Sequence, residues 1–230
     1  MTRKVWKALS FVVALAVVLA AQVSAQPLAQ STFDTDDEGW IVTAGGTTAG
    51  VTYFATGGNP GGHIRGADPS GIAFWYFTAP AKFYGDMSTA YQQTLDFDVR
   101  QVTGPGAVDQ VDVFLSGGGL TLEIDAGPNP GLSWTSYNVP LVETAGWLVQ
   151  GTGVPPTQGQ MQSVLSALTD LRIRGEFLGG ADQADLDNVV LNAAAPVPAL
   201  DWPGLLLLTG LLLTIGILVS RRMTRHPLAR

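Results

Sequence analysis

Residues 171–191 read LRIRGEFLGGADQADLDNVVL. Two short apolar segments of period-2 alternation, 171–173 and 186–190, lie on either side of Gly179-Gly180. Alternation of this kind specifies two half-buried antiparallel strands. Side chains that alternate between faces put Asp185, Asp187 and Val189 on one side of the second strand and Leu186, Asn188 and Val190 on the other. Two carboxylates and a carboxamide are thus expected at the close of a domain, facing solvent or a metal.

Working backwards from that stretch, residues 157–168 form the one amphipathic helix. Thr157 is its N-cap, and Met161, Val164, Leu165 and Leu168 make an apolar stripe at i, i+3, i+4 and i+7. Its role is packing. Everything upstream reads as strands and Gly-rich turns. Residues 51–55 and 63–67 flank the turn-rich GGNPGG at 57–62. Residues 74–80 are apolar on both faces, as a buried strand is. At 95–100, Leu95, Phe97 and Val99 alternate with Asp96, Asp98 and Arg100. Residues 111–115 and 120–124 pair as a hairpin across a Gly-rich turn, and 134–141 forms a further strand. Eight to ten strands with one helix give an all-β fold, a jelly-roll β-sandwich with one short packing helix.

The two ends differ from this middle. Residues 1–25 carry a basic start (Arg3, Lys4, Lys7), an apolar run and Val23-Ser24-Ala25, which together make a secretory signal peptide. Residues 26–192 form the ectodomain and 193–203 an Ala/Pro-rich linker. Residues 204–220 are long and apolar enough for a transmembrane helix. The basic tail 221–230 places the C-terminus in the cytoplasm, with Trp202 at the outer interface. There is no cysteine, so an exported domain must be held by its core, with or without an ion, and not by disulfides.

Charge is segregated. Residues 26–198 contain 18 acids and five bases (Arg65, Lys82, Arg100, Arg172 and Arg174), a net 18 − 5 = 13 negative charges. Such a surface repels phosphate backbones, so nucleic acid is not an expected partner. It suits a divalent cation. Four acids crowd residues 34–38 between Phe33 and Trp40, and oxygen ligands for calcium come from such clusters completed by a residue distant in sequence. If first and last strands are neighbours, Asp34 and Asp36 approach Asp187 and Asn188; these four are the expected ligands of a structural calcium.

Catalytic constellations are weakly represented. His63 is the only histidine of the ectodomain, too little for a Ser-His-Asp triad or a zinc site. A glycosidase pair would have to come from Glu123, Glu143 or Glu176, none singled out by spacing. Gly117–Gly119 precedes a strand, so it is a hairpin turn and not a phosphate cradle. The non-catalytic reading is a surface-anchored module for glycan or matrix material, with Tyr53, Tyr84 and Tyr91 as ligand-contact candidates. The competing readings are a carbohydrate-active hydrolase and a structural component of an exopolysaccharide matrix.

The ordered blocks Phe33-Asp34, Gly39-Trp40, Gly57-Gly58-Asn59-Pro60-Gly61-Gly62, the run from Trp75 to Asp86, Leu95-Asp96-Phe97-Asp98, Leu120, Trp134-Thr135-Ser136-Tyr137, Leu171-Arg172-Ile173-Arg174-Gly175-Glu176 and Leu186-Asp187-Asn188-Val189 resemble the laminin B domain (laminin IV type A). The resemblance covers residues 31–192. It implies a galactose-binding-like jelly roll in an extracellular, non-catalytic setting, without supplying a ligand. Residues 196–204, followed by the apolar helix and arginine cluster, resemble the start of bacterial IPTL-CTERM and PEP-CTERM sorting signals. That resemblance implies contact with export and sorting machinery at a bacterial envelope; the Val-Pro-Ala-Leu and the Asp before Trp202 depart from the pattern.

Overall fold

The computed structural model describes residues 27–71 and 73–194, together with Thr214. The signal peptide, the transmembrane helix and the basic tail expected from the sequence lie outside the described residues, as does most of the linker. Among the described residues no helix is long and apolar enough to cross a membrane. Residues 24–195 form one compact unit.

Among the described residues, thirteen strands build two antiparallel sheets. In chain order they are β1 (Pro27–Ser31), β2 (Ile41–Ala44), β3 (Thr47–Gly50), β4 (Thr52–Gly58), β5 (Gly61–Ala67), β6 (Trp75–Thr78), β7 (Thr94–Gln101), β8 (Val113–Gly117), β9 (Leu120–Ile124), β10 (Thr135–Pro140), β11 (Leu148–Val149), β12 (Leu168–Arg174) and β13 (Gln183–Asn192). The first sheet runs β10-β7-β13-β5-β4, with β1 also paired to β13; the second runs β11-β9-β8-β12-β6-β2-β3. The expected sandwich is therefore present, with more strands than the eight to ten anticipated. The β2–β3 hairpin and the two-residue β11 account for part of the surplus.

The core lies between the sheets. One sheet contributes Ile64, Leu95, Phe97, Val99, Leu186 and Val189, the other Val42, Trp75, Phe77, Leu115, Leu122 and Ile173. Trp75 is fully buried and its indole N–H donates to Asp182 at 2.6 Å. The Trp75 ring lies so close to the backbone at Gly175 that a Cβ there would come within 2.0 Å of it. Phe33 and Trp40 pack edge to face, and the Trp40 indole N–H donates to Ser31 at 2.8 Å. This pins the acidic loop 34–38 to the sandwich.

Helix α1 (Gln158–Ser166) packs against strands β8 and β9. Thr157 accepts from the Gln160 amide while the Gln160 side chain accepts from the Thr157 amide, a full capping box. Met161, Val164 and Leu165 are buried. The helix ends two residues before the expected Leu168, which instead opens β12 and pairs with Gly117. A β-strand pairing outweighs the fourth position of the stripe.

The alternation expected for β13 holds only to Asp187. Asn188 adopts a left-handed conformation, φ +49°, and the pairing with β7 slips between Asp187 and Val190. This bulge returns Val189 and Leu191 to the core face, where both are buried. The acids of the strand are not solvent-facing either: Asp185 and Asp187 are fully buried.

Two further carboxyls are buried at the sandwich margin. Asp112 sits 2.8 Å from Arg174 yet is pushed up to about 6, because burial outweighs the arginine. Glu176 is pushed up to about 7, first by burial and then by the charges of Asp182 and Asp68. Both folded values lie above the unfolded ones, so the native state binds more protons across the window between them. Stability from these groups is present at acid pH and lost as pH rises. In EDTA, the urea midpoint should fall between about pH 5 and about pH 7.5, and Glu176→Gln should flatten that fall. A midpoint that rises over the same interval, or an unchanged slope in Glu176→Gln, would contradict it.

Candidate functional site: a basic cleft on one sheet face

Strand β13 runs between β5 and β7, and its register sets the site. Asp185 is directly opposite Arg65 on one side and Arg100 on the other. These residues point away from the core, because Ile64, Val99 and Leu186 occupy the opposite face. Arg65 donates from Nε to Asp185 Oδ1 at 2.6 Å and from Nη2 to Oδ2 at 3.0 Å, a bidentate pair. Arg100 donates from Nε to Oδ2 at 2.8 Å. The Asp185 side chain is fully buried, while those of the arginines are 27 % and 25 % exposed. Nη1 of each arginine has no hydrogen-bonded partner among the described residues.

Aromatic rings hold the cations in place. Arg65 lies over Phe54 at 4.8 Å and Arg100 over Trp134 at 4.6 Å. Between them His63 stacks on Phe54, centroids 5.0 Å apart, and meets Trp134 edge-on at 5.7 Å. Trp134 precedes β10 but donates its indole N–H to the carbonyl of Gly57 on β4, at 3.2 Å. It therefore reaches from one margin of this sheet to the other. His63 Nε2 is 3.3 Å from Asp185. Burial lowers the His63 pKa, Arg100 and Arg65 lower it further, and Asp185 opposes them. The imidazole is neutral at neutral pH.

Beside this cluster lies a cleft of about 290 Å³, lined by Arg65, Arg100, Gln101, Val102, Leu132 and Asp185. Leu132 is 58 % exposed, a large apolar side chain standing at its rim. An apolar wall beside fixed polar groups is the usual composition of a small-ligand site.

The expected calcium ligands fall at the other end of the same face. Asp34, Asp187 and Asn188 come together at the turn of residues 58–61, which contains the cis Asn59-Pro60 bond. Asp187 accepts the Asn59 amide at 2.5 Å and the Asn188 amide at 2.7 Å. Asp98, on β7, accepts from the side chains of Asn188 at 2.8 Å and Asn59 at 3.2 Å. Burial pushes Asp187 up to about 6 against the two amides, with Asp98 and Asp34 adding to the rise. Asp36 is not part of this group; it accepts the Glu38 amide at 2.8 Å within its own turn. Among the described residues no three histidine or acidic side chains form a metal-binding group by themselves. Any ion here would need carbonyl or carboxamide oxygens as well.

The hydroxyls of all three tyrosines bond within the fold. Tyr53 donates to the carbonyl of Asp34, Tyr84 to that of Ala79, and Tyr91 to Glu143. Glu123, Glu143 and Glu176 sit on separate elements: β9, the single turn after β10, and the segment after β12. Neither nitrogen of His63 is hydrogen-bonded to a hydroxyl among the described residues. Arg65, Arg100 and Asp185 went unmarked as a site in the sequence; two bases opposite one acid on three strands is a signal visible only once the pairing is known.

The family model for laminin B (domain IV) matches residues 76–201, more than half of the chain. Laminin subunit gamma-2 of Equus caballus is 31% identical over 183 residues, covering 75% of this chain and 14% of that one. The Homo sapiens laminin subunit gamma-2 is 32% identical over 181 residues, with the same coverage of 75% and 14%. This chain thus spans about 14% of the length of these relatives. Among solved structures, the L4b domain of human laminin alpha-2 superposes with a TM-score of 0.59 at 12% identity, over 72% of this chain and 97% of that one. It shares the fold. On the family match, the chain belongs to the laminin B (domain IV) family.

Proposed function

We propose that this protein is an exported, non-catalytic binding module that displays the cleft beside Asp185 to carbohydrate of a matrix or envelope. The observation that carries this reading is the convergence of two arginines, a buried carboxylate and the exposed Leu132 on one cleft. A sugar ring offers hydroxyls at its edge and C–H groups on its face. Arginine donors address the first, Leu132 and Val102 the second. The laminin-type fold supports an extracellular setting. The N-terminal signal peptide, the C-terminal transmembrane segment and sorting at a bacterial envelope complete the proposal from the sequence. A binding role also accounts for His63, which is stacked between rings and kept neutral without a nucleophile to activate.

A glycan array probed with the full chain tests this. Binding should appear for at least one glycan class and be lost in Leu132→Ser, a rim substitution that leaves the thermal midpoint within a few degrees. An array without signal, or signal indifferent to Leu132→Ser, would contradict the assignment.

We also propose that calcium stabilises the corner formed by Asp34, Asp187 and Asn188. Hard oxygen donors are the right chemistry for that ion, and a cation would offset the crowding of Asp34, Asp98 and Asp187. In this reading the ion is structural, tying the first loop to the last strand. A ligand bound only by the folded state at a hundredfold excess over Kd adds about 2.7 kcal/mol, roughly 5–11 °C in Tm for a domain of this size. Millimolar calcium should therefore raise Tm over EDTA, and Asp187→Asn should abolish the rise. No rise would overturn the ion and leave the corner as a hydrogen-bonded lock.

A further inference from the structure

Resting on the binding reading above, we propose that the cleft takes a carboxylate-bearing sugar, a uronic acid residue of an anionic polysaccharide, through the outward Nη1 groups of Arg65 and Arg100. The argument begins with charge. Of the five bases in residues 26–198, three have an acid of their own: Lys82 with Glu38, Arg172 with Asp170, and Arg174 with Asp112. Arg65 and Arg100 share Asp185. Their meeting point therefore holds one positive charge in excess, inside a region whose net charge is 18 − 5 = 13 negative. Neutral His63 adds nothing to it.

Geometry gives that excess a direction. Asp185 occupies Nε and Nη2 of Arg65, and Nε and Nη2 of Arg100. What remains of each guanidinium is the Nη1 group and a further N–H of Nη2, and both arginines line the same cleft. The rings of Phe54 and Trp134 hold the guanidinium planes, so little side-chain freedom is lost when a ligand arrives. Two planar donors beside one another suit a planar carboxylate. The next acids along the face, Asp98 and Asp187, have oxygens already engaged by Asn59 and Asn188. They set a limit on the ligand: a polyanion with more than one charge per sugar meets repulsion from them and from the acidic domain as a whole. A single carboxylate per sugar matches the single excess charge. Leu132 then lies against the ring of the same sugar.

The test is affinity electrophoresis of the full chain, in EDTA so that calcium cannot bridge anions, through gels containing one polysaccharide each. The probes are polygalacturonate, its methyl ester, a neutral xylan and carrageenan, which is sulfated and has no uronic acid. Retardation by polygalacturonate alone, weakening with added salt, is the expected result. Arg65→Gln leaves Asp185 paired one-to-one with Arg100 and should weaken that retardation by about tenfold, while Arg65→Lys retains part of it. Equal retardation by the methyl ester, or retardation by xylan alone, overturns the acidic-sugar inference and leaves the glycan reading standing. Retardation by carrageenan without polygalacturonate overturns the carboxylate assignment. No retardation in any gel, with a native thermal transition, overturns both.

Discussion

Asp185 is the constraint on which this face of the protein depends. A carboxylate with no solvent exposure carries a desolvation penalty of several kcal/mol. Here it is offset by two guanidinium groups that arrive from the strands on either side. Because β13 lies between β5 and β7, one side chain ties three strands together at a single level of the sheet. The arginines in turn fix Phe54 and Trp134 by cation–π contact, and those rings enclose His63. Remove the carboxylate and two cations face each other across a strand with nothing between them. The site is in this sense a by-product of strand pairing, made where the register places two bases opposite one acid.

The same face is polarised along its length. At one end Arg65 and Arg100 outnumber their acid; at the other Asp34, Asp98 and Asp187 gather about the turn of residues 58–61. The bulge at Asn188 belongs to the acidic end. Its left-handed backbone turns the carboxamide towards Asp98 and the carbonyl of Asn59, where it donates at 2.8 and 2.5 Å. A regular strand would have carried Val189 outwards onto this polar surface. The bulge thus serves the core and the acidic corner together.

Much of the architecture was legible from the chain. The alternation of Leu95, Phe97 and Val99 with Asp96, Asp98 and Arg100 identifies both faces of β7, and Thr157 with Gln160 announces the start of α1. The neighbouring first and last strands, expected of a sandwich, appear as the β1–β13 pair. Other features were written in the sequence but passed over. Gly45-Gly46 is a two-residue hairpin signal, and it makes the β2–β3 turn at φ +53° and +88°. Asn at 188 is among the few residue types that enter the left-handed region readily, so a bulge there was within reach. The cluster at Asp185 was not. Its partners lie 120 and 85 residues away, and local periodicity carries no information about register over such distances. Nor does residue type reveal that the hydroxyls of Tyr53, Tyr84 and Tyr91 bond within the fold.

The central claim is that ligand meets the protein at the Arg65–Asp185–Arg100 face, and the Nε–H resonances of arginine report on it directly. Nitrogen-15 NMR of the full chain, titrated with a galacturonate oligomer, separates Arg65 and Arg100 from Arg172 and Arg174 on the second sheet. The account predicts that the Nε–H signals of Arg65 and Arg100 shift together and saturate together, with those of Arg172 and Arg174 unmoved. Shifts centred on Arg172, or a saturating titration that leaves Arg65 and Arg100 unchanged, would contradict it.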